Sequence, residues 1–138
     1  MGTSWPCLPR LERTLSVILA LELAPEPAAV VNARHAATQA LDAHGCRSVR
    51  AGAELVISEL VANALEHSGT RVAVRLLRAE RRVRVEVDDD GQGWPVLRHP
   101  EPHDQRGRGL QIVDQVASRW GVQREAGNGK TLWAELAC

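Results

Sequence analysis

A chain of 138 residues falls within the range of one domain folded around one core, which excludes a multidomain enzyme. Its 44% hydrophobic and 25% charged content is that of a folded globular domain and not of a disordered one. Seventeen basic residues balance seventeen acidic ones, so the global attraction that draws proteins to nucleic acid or anionic membranes is missing, and a ligand must be held locally. Cys7, Cys46 and Cys138 are odd in number and lack a Cys-x-x-Cys pair, which argues against a disulfide framework or structural zinc and fits a reducing cytoplasm.

Residues 1–13 carry Pro6 and Pro9 without periodicity and read as an irregular N-terminus ahead of a domain spanning residues 14–138. From Thr14 to Ala24 the apolar run superficially resembles a signal peptide. Glu22 interrupts it, and Leu15, Val17, Leu19, Leu21 and Leu23 alternate with Ser16, Ala20 and Glu22, the period of a half-buried strand. The run is also too short to cross a bilayer. Pro25 and Pro27 break the chain, and the Ala-rich stretch from Ala28 to His44 predicts a first helix, stopped by Gly45.

Ser48 is placed to cap a second helix running to about His67, with Ala53, Val56, Ile57, Leu60, Val61 and Ala64 recurring at helical spacing. Two alternating runs, Arg71 to Arg78 and Arg82 to Asp89, predict a β-hairpin with a short polar connection over residues 79–81. Gln92 to Arg106 holds Pro95, Pro100 and Pro102 and reads as a lid. Leu110, Val113, Val116 and Ala117 mark a third helix, and Val122 to Glu125 and Thr131 to Leu136 a closing hairpin. The order β-α-α-β-β-lid-α-β-β predicts an α/β two-layer sandwich, three helices covering one face of the sheet.

Glu59, Asn63 and His67 stand at i, i+4 and i+8 on the second helix, one row beside the apolar stripe. A carboxylate with an amide oxygen suits a hard cation such as magnesium, or a base beside a cation anchor; a solvated helix face presents the same row. Asp89 shares the parity of Val83, Val85 and Val87, so the strand period turns it inward, where a carboxylate needs a hydrogen-bond partner. With Gly91 and Gly93 following, such an acid is suited to accept from a donor like an exocyclic amine; an acidic turn reads the same way. Gly107-Arg108-Gly109 before a helix, flanked by Arg106, offers amides and guanidinium charge to phosphate oxygens, or is a turn with solvated arginines. His99 and His103 are separated by Pro100 and Pro102 from any helical metal-ligand spacing. Arg71, Arg75, Arg78, Arg81, Arg82 and Arg84 lack interleaved aromatics and read as a solvated hairpin, so no direct nucleic-acid contact is expected.

Taken in order, ISELVANALEHSG (57–69), VEVDDDGQGWP (85–95), GRGLQIVDQVASRWG (107–121) and GKTLWAEL (129–136) resemble the motifs of the GHKL family of Bergerat-fold, histidine-kinase-like ATPases. The resemblance implies a mixed, mainly antiparallel sheet and a lid over an ATP site. It implies that Asn63 coordinates Mg2+, that Glu59 is the general base, and that Asp89 hydrogen-bonds the adenine amino group. Gly91 and Gly93 would shape the adenine pocket, and Gly107, Arg108, Gly109 and Leu110, with Arg106, would hold phosphates. His67 joins the nucleotide-binding row, and Thr131 would support the adenine contact. The chain is most similar to the stand-alone anti-sigma-factor serine/threonine kinases, which implies a cytoplasmic, ATP- and Mg2+-dependent enzyme. Its partners would be a sigma factor and an anti-sigma-factor antagonist protein, with homodimerisation implied and membrane attachment not. The alternatives are a non-catalytic, nucleotide-dependent module that sequesters a transcription regulator, and a detached histidine-kinase catalytic domain.

Overall fold

Alternation along each strand decides which side chains meet the helices and which form the opposite face. A computed structural model describes residues 15–68, 71–90, 108–124 and 129–138, without the side chains of residues 67, 68, 108 and 109. The elements are β1 (Ser16–Leu23), α1 (Ala28–Ala43), a 3-10 turn (Arg47–Val49), α2 (Arg50–Ser68), β2 (Val72–Ala79), β3 (Arg82–Asp89), α3 (Arg108–Val116), β4 (Arg119–Arg124) and β5 (Lys130–Ala137). The expected irregular N-terminus and the lid lie outside the described residues.

The five strands form one sheet in the order β1-β2-β3-β5-β4. Every pairing among the described residues is antiparallel, where a mixed sheet was expected. The reason is topological: β3 and β4 run the same way, but β5 inserts between them and pairs antiparallel with both.

Val72, Val74 and Leu76 of β2, Val83, Val85 and Val87 of β3, and Leu132, Ala134 and Leu136 of β5 form the buried face. Against it pack Ala53, Val56, Ile57, Leu60, Val61 and Ala64 of α2. Ala29, Ala33, Ala37 and Leu41 recur every fourth residue on α1, and the three small alanines let α1 lie close to α2. Leu110 and Val113 bring α3 into the same core. Gly45 follows α1 with a φ of +73°, the left-handed conformation that ends helices, as its place in the sequence predicts. Ser48 lies inside the 3-10 turn that leads directly into α2, not at an isolated cap position.

β1 departs from strict alternation. Val17 pairs with Leu77 and Leu19 with Leu76, so a bulge absorbs Ile18. Val17 is thereby turned to the outer face and is 56% exposed, whereas Leu19, Leu21 and Leu23 keep the core-facing parity.

The outer face carries Arg75, Arg82 and Arg84 of the hairpin, and they are not simply solvated, whereas Arg78 has the inward parity and donates to the His44 carbonyl. Arg84 is buried and pairs with Glu86 at 2.7 Å and Glu135 at 3.4 Å, its guanidinium 4.4 Å from the centre of the Trp133 ring. Arg82 and Arg119 reach Glu135 at 3.0 and 2.7 Å, and Arg75 reaches Glu86 at 2.6 Å. Carboxylates therefore neutralise Arg75, Arg82 and Arg84 of the cluster.

Candidate nucleotide site

Three elements of the helical layer and sheet converge at one end of the sheet, and a glycine shows which end. A Cβ on Gly52, at the start of α2, would lie 2.8 Å from Leu136 Cδ2 and 3.3 Å from Val116 Cγ1. Leu136 pairs with Val83, the end of β3 farthest from Asp89, and Val116 closes α3. The C-terminal half of α2 and the start of α3 are therefore directed towards the other end, where Asp89 ends β3. Only three residues separate Ser68 from Val72, which pairs with Asp89.

Asp89 occupies the inward position its parity predicts. Its residue is buried on the helical side of the sheet, in line with Val83, Val85 and Val87. The partner that such a carboxylate needs is Lys130, opposite it on β5, whose Nζ donates to Oδ1 at 2.9 Å. Both side chains are almost wholly buried, 1% exposed for Lys130 and 0% for Asp89.

Thr131 is differently placed from the expectation. It pairs with Asp88, and its hydroxyl donates to Asp88 Oδ1 at 2.6 Å on the outer face, so Lys130 and not Thr131 stands beside Asp89. The signal was present in the sequence. Leu132, Ala134 and Leu136 define the inward parity of β5, and Lys130 shares it, just as Asp89 shares that of β3.

On α2, Glu59 and Asn63 are half-buried beside the apolar stripe. Burial pushes the Glu59 carboxyl above the usual range, because desolvation disfavours its charged form. Asn63 Oδ1 is buried with no hydrogen-bond partner among the described residues, which leaves a hard oxygen donor unsatisfied. A buried amide oxygen of that kind fits a magnesium ligand, and magnesium takes its remaining ligands from water and substrate phosphates. His67 lies on the last turn of α2, with its side chain outside the described residues.

Arg108 and Gly109 are the first residues of α3 and not a turn ahead of it. Leu110 is buried in the core, so its side chain packs and only its backbone remains for an anion. The expected contributions of Gly91, Gly93, Arg106 and Gly107 lie outside the described residues. A groove between α1 and α2, lined by Arg34, His35, Thr38, Gln39, Arg50 and Glu54, contains none of these groups.

The chemistry and its order along the fold coincide with an established family. The model of the histidine kinase-like ATPase domain matches residues 23–136, and the chain belongs to that family. Among solved structures, the fold is similar to the RsbU and RsbW domains of Rv1364c from Mycobacterium tuberculosis, with a TM-score of 0.65 and 23% identity. The match covers 86% of this chain and 31% of that one, so the present chain spans about a third of its neighbour's length. No curated protein matches the sequence. Among the described residues, no helix is long and apolar enough to cross a membrane.

Proposed function

We propose that this chain binds ATP with magnesium at the Asp89 end of the sheet and transfers the γ-phosphoryl group to a serine or threonine hydroxyl of a partner protein. The observation that carries the reading is the inward, buried Asp89 at the end of the sheet towards which Asn63 and the start of α3 are directed. Asp89 would accept a hydrogen bond from the adenine amino group. Asn63 Oδ1 would hold magnesium, which supplies charge neutralisation at the phosphates when bound. Backbone amides at the start of α3 would face the phosphate oxygens, where the helix dipole favours negative charge.

In the transfer step the partner's hydroxyl oxygen attacks the γ-phosphorus, the bond to the β-phosphate oxygen breaks, and ADP leaves. Glu59 takes the hydroxyl proton. Its desolvated carboxylate is a better proton acceptor than an exposed glutamate, which supports this assignment. The partner assignment, an anti-sigma-factor antagonist as substrate and a sigma factor as the sequestered protein, rests on the similarity of the four motifs to the stand-alone anti-sigma-factor kinases.

Calorimetric titration of ATP with and without magnesium tests the site. Saturable, magnesium-dependent binding is expected, weakened at least about tenfold in Asp89→Asn, with circular dichroism confirming that the variant is folded. Incubation with Mg-ATP and a candidate antagonist is expected to yield phosphoserine or phosphothreonine. Acid-labile phosphohistidine would favour a detached histidine-kinase domain, and nucleotide binding without any phosphoprotein would favour a non-catalytic module.

A further inference from the structure

An ammonium group buried beside the proposed base reader is a departure that the nucleotide reading does not itself require. Lys130 is the only lysine in the sequence, and the pairing of β3 with β5 sets it opposite Asp89. The side chain could have extended to solvent, as lysines ordinarily do. Instead its Nζ lies 2.9 Å from Asp89 Oδ1, and the side chain is 1% exposed. Desolvating an ammonium is costly, and a carboxylate alone leaves part of its donor capacity unmet, since the group has three N–H donors and no acceptor.

We infer that Lys130 is a second base-reading residue, whose ammonium donates to the N1 acceptor of adenine while Asp89 accepts from the neighbouring N6 amine. The inference rests on the ATP reading of the site. Adenine presents a donor and an acceptor side by side on its Watson–Crick edge, and the Asp89–Lys130 pair presents an acceptor and a donor side by side. Hypoxanthine reverses both groups, with an oxygen at position 6 and an N–H at position 1. It would set oxygen against carboxylate and N–H against ammonium. A hydroxyl at this position could donate or accept and would tolerate the reversal; an ammonium can only donate. Lys130 thus determines specificity for adenine over hypoxanthine nucleotides.

The test compares ATP with 1-deaza-ATP, which keeps N6 but replaces N1 by a C–H group, and with ITP, by calorimetry on the full chain. The wild-type chain is expected to bind 1-deaza-ATP roughly 10- to 100-fold more weakly than ATP, the range for a hydrogen bond to a charged group, and ITP more weakly still. In Lys130→Met, matched in length and without a donor, the gap between ATP and 1-deaza-ATP is expected to close to within about threefold, a change that a merely structural ion pair would not produce. Lys130→Ala, which also lacks a donor, serves as the second variant should the methionine variant lose its circular-dichroism signal. A gap as wide in the variants as in the wild type overturns the inference, as does equal wild-type affinity for ATP and 1-deaza-ATP. Tighter ATP binding in the variants also overturns it, because Lys130 would then compete with the base. If the wild-type chain binds neither ATP nor ITP, the nucleotide reading itself fails and the inference with it, whereas ATP binding with an unaltered gap sinks the inference alone.

Discussion

In the proposed function, Glu59 would serve chemistry at the expense of the fold. Its carboxyl is raised above its ordinary value by burial, so the folded chain holds the proton more tightly than the unfolded chain. Stability then falls as pH rises from the ordinary glutamate range through the raised value, since the native state binds more protons across that window. Glu59→Gln removes the charged form. The variant is expected to melt at a higher temperature than the wild type above this window and at the same temperature below it, while losing phosphoryl transfer and keeping ATP affinity. Thermal melts on both sides of the window and a transfer assay check the prediction; a lower melting temperature for the variant at neutral pH would contradict the burial argument. Parity made Asp89 legible from sequence, because Val83, Val85 and Val87 establish the inward face before it. The same rule, carried to β5, would have found Lys130. Thr131 came instead from the family resemblance, which supplies a residue type near a motif but not a register.

At the scale of elements, the helices and strands follow from apolar spacing, and the deviations occur where a backbone irregularity intervenes. Gly45 was readable as a helix stop, and its φ of +73° gives the reason. Apart from its chain neighbours, no atom of the described residues lies within 4 Å of the position a Cβ would take, so the cost of a substitution there is conformational. Gly45→Ala is expected to destabilise the chain by about 1–2 kcal/mol in urea unfolding, with an unchanged denaturant slope. An Asn variant, which tolerates the left-handed region better, should lose less. The bulge at Ile18 was not readable in this way. Both Val17 and Ile18 are apolar, and only the pairing with Leu76 and Leu77 decides which of them is absorbed.

For the molecule as a whole, the sheet separates two kinds of burial. One face meets the helices through aliphatic side chains, and the other holds Arg84, Glu86, Trp133 and Glu135, all buried although no described helix lies over them. Desolvation lowers the affinity of the Arg84 guanidinium for its proton, and Glu86 and Glu135 oppose that shift. Glu135 of β5 receives three arginines from the two neighbouring strands, Arg82 and Arg84 of β3 from one side and Arg119 of β4 from the other, and so ties strand to strand across β5. Its removal leaves a buried cation short of charge compensation. Glu135→Ala is expected to cost about 3 kcal/mol by chemical denaturation, the magnitude for breaking a buried pair. Because the proposed nucleotide site lies on the opposite face, ATP affinity measured below the unfolding transition should stay within about threefold of wild type.

The sequence by itself determined the order of the elements, the single core, the inward turn of Asp89 and the histidine-kinase-like family, because each depends on local periodicity or on short motifs read along the chain. Tertiary structure alone decided which strand lies between β3 and β4, that Lys130 stands against Asp89, that Asn63 keeps a buried oxygen without a partner among the described residues, and that Arg75, Arg82 and Arg84 of the hairpin are paired instead of solvated. Those facts are relations between residues distant in the chain. They are set by strand register and by how helices cross the sheet, and both are fixed only when the whole core packs.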